Sequence, residues 1–330
     1  MSGMRRRTML GAIAASLVPV PLLGRPLPLR RLGVLWIGRA DDPGNKLLMA
    51  ALTEGLAALG WGLNGNLVIE WRWTQGHTRL TDREAAELTS ENPDALLAVA
   101  TPAVAALRRQ TKTIPIVFVD ITDPLGQGFV ESLAHPGGNM TGFTDFDPPM
   151  AGKWLEMLTQ IVPRVGHAAL LFNPDTAPFA AAMVRTVDAA GPSLGMTARP
   201  APVHDPREIE TVIADLGGEP GGGLVVLPDS FTAVHQRAIV RLTARHRVPA
   251  VYWGRGFVEA GGLMSYGIDP IDPWRHAATY IDRIFKGAKP GDLPVQNPTK
   301  FELVANLKTA AALGVKLAPS LLASAAKVIE

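Results

Sequence analysis

The chain has 330 residues, 47% hydrophobic and 19% charged, which is long enough for about two globular domains with sizeable cores. Lysine and arginine exceed aspartate and glutamate by only 32 to 30, with no basic stripe beyond the N-terminus, which argues against nucleic-acid binding. The absence of cysteine excludes disulfides, zinc-thiolate sites, cysteine nucleophiles and a cysteine-linked lipid anchor.

Residues 1–30 are predicted to form an export signal. Arg5, Arg6 and Arg7 precede an apolar run of roughly ten residues, which is too short for a bilayer span of about 20. The letters RRTML, from Arg6 to Leu10, resemble a twin-arginine export signal. We therefore predict a periplasmic protein; the alternative is a basic leader on a cytoplasmic protein.

Beyond the leader, short β-branched runs alternate with longer helical patterns, which predicts βαβ units and a parallel sheet. The elements predicted in the first half are strand 32–37, helix 45–59, strand 67–71, helix 79–90, strand 95–100, helix 103–110 and strand 114–120. Those predicted in the second half are strand 167–172, helix 178–190, strand 197–202, helix 206–216, strand 223–227, helix 232–247 and strand 248–253.

The two halves match in detail. TIPIVFVD at 113–120 corresponds to RVPAVYWG at 247–254, so that Pro115 and Pro249 lie 134 positions apart. Gly60 and Gly195, each suited to a helix C-cap, lie 135 positions apart. Two matches at nearly one offset, with the same order of elements, predict two similar α/β lobes.

The third section of the chain, from Leu263 onward, is too short for another lobe. It contains a strand at 263–268, a helix at 272–285, the linker KGAKPGDLP, an extended stretch at 300–304 and helices to the end. We expect this section to complete both lobes, so that the chain crosses between them more than once and forms a hinge. The predicted fold is α/β, with two Rossmann-like lobes that each contain a parallel sheet: 31–145 plus about 267–295, and 146–266 plus about 296–330.

The segment HPGGNMTGF at 135–143 contains three glycines and a proline, and it poses the question of a phosphate loop. No helix start follows it, which a phosphate loop would need. We predict instead a hinge, in which Gly137 and Gly138 turn the chain while Thr141 and Gly142 enter the first crossing. On this hypothesis, Gly138→Val impairs closure and ligand affinity more than folding.

Two motifs resemble catalytic or cofactor signatures but stand in the wrong context. Gly60–Gly65 spells G-x-G-x-x-G after a helix and before a strand, the reverse of the dinucleotide-binding order. Ser193 in G-x-S-x-G likewise follows a helix and precedes a strand. The seven histidines show no metal-ligand spacing, so we predict no catalytic residue, no metal and no cofactor.

In open parallel sheets, ligands bind beyond the carboxyl ends of the strands where the strand order reverses. In the first lobe this rule selects Gly38 and Arg39 after the first strand, and Thr101 and Pro102 after the third. Thr101 is predicted to cap a helix whose free N–H groups can hold a carboxylate.

The same rule selects residues in the second lobe. These are Asn173, Asp229 and Ser230, and Asp229 has the charge to pair with an ammonium group. Ordinary helix capping is the alternative for both Thr101 and Asp229. Aromatic residues near strand ends could stack on a flat ligand: Trp36, Trp73, Phe231, Tyr252, Trp253 and Tyr266.

Four stretches give the chain a family resemblance: GNLVIEWRWTQG at 65–76, TDPLGQGFVESLAHPGGNMTGF at 122–143, LFNPD at 171–175, and SYGIDP with the run that follows it. The chain resembles the substrate-binding proteins of ABC transporters, in the branch that includes tryptophan- and tyrosine-binding members. The resemblance implies a type I periplasmic-binding fold whose lobes, joined by three crossings, close on a small ligand. The positions that it implies to line the cleft are Thr101, Asp123, Thr141, Asn173 and Asp229.

The predicted function is therefore that of an exported, monomeric solute-binding protein, not an enzyme. It would capture an amino acid-like metabolite and deliver it to an ABC permease and ATPase complex, meeting the membrane only through that permease. The loop GRADDPGNK after the first strand differs from the relatives, which leaves aromatic specificity open. The alternatives are a two-lobe Rossmann enzyme, such as a nucleotide-sugar transferase, and the ligand-sensing partner of a receptor.

Overall fold

A computed structural model describes residues 28–63, 65–162 and 165–330. The export-signal prediction lies outside the described residues except for its last three positions. In the part of the chain that is described, no helix combines the length and the apolar character needed to cross a bilayer.

The first sheet is entirely parallel and has the strand order β2-β1-β3-β4-β5. Its elements are β1 (Arg30–Trp36), α1 (Pro43–Ala58), β2 (Leu67–Trp73), α2 (Thr78–Ser90), β3 (Ala95–Val99), α3 (Thr101–Gln110), β4 (Ile116–Ile121) and β5 (Met140–Thr144). The strand order reverses between β1 and β3, as expected from the sequence.

The second sheet has the order β12-β11-β10-β9-β8-β6-β7, in which only the β10–β11 pair is antiparallel. The elements that build it are α4 (Met150–Ile161), β6 (His167–Phe172), α5 (Ala180–Ala190), β7 (Thr197–Pro202), α6 (Pro206–Gly218), β8 (Gly222–Val226), α7 (Ser230–Val234), α8 (Gln236–Arg245), β9 (Ala250–Tyr252), α9 (Arg255–Glu259), β10 (Met264–Ile268), β11 (Phe301–Asn306), α11 (Leu307–Leu313), α12 (Pro319–Ser324) and β12 (Lys327–Ile329). The predicted two-lobe α/β fold is confirmed.

The internal duplication has a structural counterpart at the two prolines. The carbonyl oxygen of Pro115 accepts a hydrogen bond from Leu96 N at 2.8 Å, and that of Pro249 accepts one from Leu224 N at 2.9 Å. In both lobes, therefore, the residue before the fourth strand of the βαβ series is anchored to the third strand.

The chain passes between the sheets three times. The first crossing, 145–149, joins β5 to α4, and the second, 269–271, leads from β10 into α10 (Asp272–Phe285). The third, 297–300, leads from the Gln296 bridge beside Phe143 to β11. Helix α10 packs on the first sheet through Trp274 and Ile281, which belong to the same buried core cluster as Leu52 and Leu56 of α1. The C-terminal section thus contributes to both lobes.

The hinge prediction for residues 135–143 is partly wrong. Met140–Thr144 form strand β5 at the edge of the first sheet, and the first crossing begins only after them. The hydroxyl of Thr141 is buried and donates to Leu293 O at 2.6 Å. The glycine content of the segment suggested a turn, but Gly142 lies in a strand. Its lack of a side chain allows β5 to approach Phe118 of β4 closely.

Gly138 lies in the turn before β5, with φ of +57° and open space around the site of a Cβ atom. We now expect Gly138→Val to lower the free energy of unfolding by about 1–2 kcal/mol, because a β-branched residue is strained in the left-handed region. Ligand affinity should be unchanged, since the turn lies within one lobe. Urea unfolding and a binding titration on the same variant test both statements; weaker binding with unchanged stability would restore the hinge hypothesis.

Besides β5, three further helices and strands were not expected from the sequence: α4, α9 and β12. The predicted helix 232–247 is also divided into α7 and α8 at His235. Helix α4 packs Trp154 and Leu158 into the core of the second lobe, so tertiary burial stabilises it. Strand β12 pairs with β11 only because the chain end returns to that edge of the sheet.

Candidate functional site

A cavity of about 720 Å³ lies between the two lobes, at the carboxyl ends of their strands. Both lobes contribute to its walls, through the segments that follow β1, β3 and β4 on one side and β8 and β9 on the other. Six of the predicted site residues line it: Gly38, Arg39, Thr101, Asp229, Ser230 and Trp253. The cavity thus lies at the reversals of strand order in both lobes.

The other five predicted site residues do not line the cavity: Pro102, Asp123, Thr141, Asn173 and Tyr266. Asn173 is buried, and its Oδ1 atom accepts a hydrogen bond from Asp175 N at 2.8 Å. The Asp123 carboxylate caps its own turn by accepting from Gly126 N at 2.9 Å. Tyr266 stacks on Phe301, with 5.7 Å between the ring centroids. Asn173, Asp123 and Tyr266 are thus engaged in contacts within their own lobes.

Helix α3 begins at Thr101, two residues before the predicted range of 103–110. Ala100, not Thr101, is the N-cap, with φ of +72° and no side chain able to cap. Thr101 is the first helical residue, and neither its N–H nor its hydroxyl group has a hydrogen-bond partner among the described residues. The positive end of the α3 dipole and two free donors therefore face the cavity, which suits a carboxylate.

Three of the non-glycine residues with left-handed backbone lie close together at this edge of the first sheet. They are Ala100 (φ 72°), Asp120 (φ 57°) and Asp123 (φ 49°). Ala100 and Asp120 line the cavity. Such strained backbone is retained mainly where it positions functional groups.

Most of the hydrogen-bonding capacity of the Asp229 carboxylate is used within its own lobe. Its carboxylate accepts hydrogen bonds from Asn173 N at 2.9 Å, from Phe231 N at 3.0 Å and from the Thr176 hydroxyl. A carboxylate has about four acceptor positions, so little capacity is left for a ligand. Burial raises the pKa of Asp229 to about 6, although these hydrogen bonds favour the charged form and oppose the rise. Helix capping is thus the main role of Asp229 in this structure.

The sequence reasoning missed several carboxyl groups of the cavity, and two of them, Asp120 and Asp145, have raised pKa values. Burial raises the pKa of Asp120 to about 7, and the negative charge of Asp145 adds to the rise. Trp274 opposes the rise, although its Nε1 atom has no partner in hydrogen-bond geometry. The available signal was an acidic residue that ends an otherwise apolar strand, VFVD.

Asp145 stands at the start of the first crossing. Its carboxyl group accepts from the Thr122 hydroxyl at 2.6 Å and from Phe146 N at 2.5 Å. Burial nevertheless raises its pKa to about 6. Two acids with raised pKa values therefore lie where the lobes meet.

Aromatic side chains form one wall of the cavity. Trp36 lines it, stacked on Trp73 with 4.6 Å between ring centroids and backed by Trp274 at 4.3 Å. On the opposite lobe, Trp253 lines the cavity, while Tyr252 is a core residue whose hydroxyl meets Thr243 Oγ1 at 2.9 Å. The Nε1 atom of Trp253 and the Oγ atom of Ser230 are buried without hydrogen-bond partners, and both residues line the cavity.

The arginine side chains at the cavity differ in whether they pair with an acidic side chain. Arg39 pairs with Asp41 at 3.1 Å, and Arg255 pairs with Glu302 at 3.5 Å. Arg237 has no acidic partner among the residues that the structure describes. Within residues 28–63, 65–162 and 165–330, no group of three histidine, aspartate or glutamate side chains is arranged to hold a metal ion.

The G-x-G-x-x-G and G-x-S-x-G motifs have structural roles. Residues 60–65 connect α1 to β2, and Gly60 N donates to Ala57 O at 3.0 Å beyond the end of the helix. Ser193 lies in a short 3₁₀ turn before β7, where its hydroxyl donates to Ala190 O at 2.8 Å. Neither lies in the cavity.

Residues 39–329 match the family model described as "ABC transporter substrate binding protein". A structure titled as an ABC domain in complex with L-Trp, from Streptococcus pneumoniae, is 27% identical and aligns with a TM-score of 0.84, covering 91% of this chain and 100% of that one. A conserved domain protein from Vibrio cholerae is also 27% identical, with a TM-score of 0.83, covering 91% and 99% of the two chains. A tyrosine-binding protein of Clostridioides difficile is 24% identical over 263 residues, covering 80% of this chain and 75% of that protein.

Proposed function

The chain belongs to the family of ABC transporter substrate-binding proteins, and we propose that it captures an amino acid-like ligand between its lobes and delivers it to an ABC importer. The observation that carries this proposal is the cavity of about 720 Å³, whose walls come from both lobes. A ligand held there contacts both lobes at once, so that closing the cleft is favoured by the contacts that the second lobe adds.

An amino acid fits the chemistry of the cavity. Thr101 and the α3 terminus suit a carboxylate, acidic groups suit an ammonium, and Trp36 and Trp253 suit an apolar or aromatic side chain. The volume lies within the range of about 300–1,000 Å³ that is usual for small-molecule sites. The relatives named for tryptophan and tyrosine make these two amino acids the first candidates.

We further propose that two units move as rigid lobes, residues 31–145 with about 267–295 and residues 146–266 with about 296–330. Three crossings support this division, because backbone rotation in a few residues of each is enough for hinge closure. The motion would bring Ser230, Trp253 and Arg237 toward Arg39 and Thr101.

Substrate-binding proteins of ABC importers act outside the cytoplasm, and the arginine-rich leader supports export of this chain to the periplasm. The proposed partners are a permease and its ATPase, with the protein acting as a monomer and contacting the membrane only through the permease. We propose no catalytic role, because the polar groups of the cavity suit the holding of a charged ligand.

The ligand can be identified by thermal unfolding of the mature protein against the twenty amino acids, with organic acids and polyols as further classes. Binding should stabilise the protein by RT ln(1 + [L]/Kd), which is about 2.7 kcal/mol at a hundredfold excess of ligand over Kd. A stabilising polyol without any effect of amino acids would contradict the amino acid proposal.

A bulky side chain at Ser230 should block the cleft. Ser230 is the first residue of α7 and lines the cavity with an unpartnered hydroxyl group. Ser230→Trp is expected to weaken binding at least about thirtyfold, because the indole would occupy the ligand's space, while the fold stays intact. Ser230→Ala is the matched control and should bind within about fivefold of the wild type, having lost one hydrogen bond. Equal affinities of the Trp variant and the wild type would place the ligand elsewhere.

A further inference from the structure

A second cavity, the hinge groove, lies at the crossings between the lobes. It has a volume of about 330 Å³ and is lined by residues within 143–144, 268–269, 272–280 and 296–300. Phe143, Thr144 and helix α10 form its wall on the first lobe. Ile268, at the end of β10, and Lys300, directly before β11, form its wall on the second lobe. Both lobes therefore line the hinge groove, as they line the ligand cavity of about 720 Å³.

The crossings separate the hinge groove from the ligand cavity. At the start of the first crossing, Thr144 lines the hinge groove and its neighbour Asp145 lines the ligand cavity. In the second crossing, Asp269 lines the hinge groove, whereas Pro270 and Ile271 line the ligand cavity. Successive side chains of an extended segment point to opposite sides. The two cavities consequently lie on opposite faces of a wall that is a single chain thick.

Each crossing contains proline. Pro148 and Pro149 lie in the first crossing, Pro270 in the second and Pro298 in the third. A proline ring fixes φ at about −65° and also restricts the residue before it. Few backbone angles are thus left for bending, and we expect the lobes to turn as rigid bodies about an axis within this wall.

Hydrogen bonds fix the wall of the hinge groove on the first lobe. Thr144 N donates to Gln296 O at 2.9 Å, and the Thr144 hydroxyl donates to Asn297 Oδ1 at 2.8 Å. Gln296 Nε2 also donates to the Tyr280 hydroxyl at 3.2 Å. These bonds join β5, α10 and the start of the third crossing. On the second lobe, β10 and β11 are paired up to the crossings. The hinge groove thus has one rigid wall on each lobe.

We propose that the hinge groove sets the angle between the lobes, so that a group filling the groove stabilises the closed form and raises the affinity for the ligand. An axis within the wall has the two cavities on opposite sides, so rotation that narrows the ligand cavity widens the hinge groove. A group that fits only the wider groove shifts the equilibrium toward the closed form by its difference in free energy between the two forms. The inference rests on the proposed function, because it needs a ligand that both lobes contact.

Thr279 is the position from which the hinge groove can be filled. It is exposed on α10 and lines the groove, and its hydroxyl donates to His276 O at 2.7 Å in the same helix. The chain contains no cysteine, so Thr279→Cys introduces a single thiol. Thiosulfonate reagents can then attach groups of increasing size to it, from methyl to benzyl. Arg275→Cys is the matched control, because Arg275 is exposed on the same helix and is not among the residues that line either cavity.

The first measurement is a calorimetric titration of each modified variant with the tightest-binding amino acid of the panel. Kd should fall as the group attached to Thr279→Cys grows, by roughly fivefold from the free thiol to the benzyl group, which is the lower end of the usual coupling between two sites. The same reagents on Arg275→Cys should leave Kd unchanged. A Kd that stays constant or rises along the Thr279→Cys series, or that falls equally in the control series, would overturn the proposal.

Small-angle X-ray scattering without ligand separates this inference from the proposed function. The benzyl-modified Thr279→Cys variant should have a smaller radius of gyration than the same variant with a free thiol, and the modified control should show no change. If the wild type binds no amino acid, the proposed function falls, and the scattering comparison still tests the hinge groove. If the wild type binds an amino acid but the radius of gyration does not change, the role of the hinge groove is wrong while the proposed function stands.

Discussion

Gly142→Ala is expected to cost about 4 kcal/mol or more of the free energy of unfolding and to leave little folded protein in the cell. Gly142 pairs with Phe118 across β4 and β5. A Cβ atom there would overlap the carbonyl oxygen of Phe118 and lie 2.6 Å from its nitrogen. Both atoms belong to the backbone of a central segment, so the overlap can be relieved only by separating the strands.

The effect should extend beyond one strand pair. The carbonyl oxygen of Gly142 accepts from Gln296 N at 2.9 Å, and Thr144 N donates to Gln296 O at 2.9 Å. These bonds fix the chain as it approaches the third crossing. Displacement of β5 would therefore disturb both the edge of the first sheet and the route to β11.

Gly138→Ala is the matched control for this prediction. It places the same methyl group four residues earlier, in a left-handed turn with open space around it. Its cost should be about 1 kcal/mol, from the backbone conformation alone. Urea unfolding followed by circular dichroism compares the two, and equal losses would show that β5 can move away from β4 at little cost.

Asp229→Ala is expected to lower the free energy of unfolding by about 3 kcal/mol, whether or not ligand is present. Three donors lose their acceptor at once: Asn173 N, Phe231 N and the Thr176 hydroxyl. Each buried donor left without a partner costs about 1–3 kcal/mol, reduced where water can enter from the cavity. The loss should also loosen the start of α7, which carries Ser230 into the cleft.

The control for Asp229 is another N-cap aspartate on the same lobe. Asp205 caps α6 by accepting from Arg207 N at 2.6 Å, and it is partly exposed. Asp205→Ala should cost about 1 kcal/mol, the ordinary value for an N-cap. If Asp229→Ala cost no more than this while abolishing binding, then ligand contact, and not capping, would be the main role of Asp229.

Much of the site could be anticipated from strand order. Thr101, Asp229 and Ser230 follow strands at the two points of reversal, and the cavity lies between those points. The rule fails for Asn173 and Pro102, because a residue beside the correct turn can still point into its own lobe. Direction within a short turn depends on backbone angles such as the φ of 72° at Ala100, for which alanine gives no signal.

The two α/β lobes, their duplication and the family are evident from the sequence, because apolar periodicity, turn residues and long motifs are local properties of the chain. The common cavity of Asp120 and Asp145, the place of Gly142 in a strand, and the hydrogen bonds that already satisfy Asp229 become visible only in the folded protein. Those facts depend on contacts between residues distant in the chain, and on burial, which changes both the pKa of an acid and its need for a partner. Local sequence patterns contain no information on contacts between distant residues or on burial.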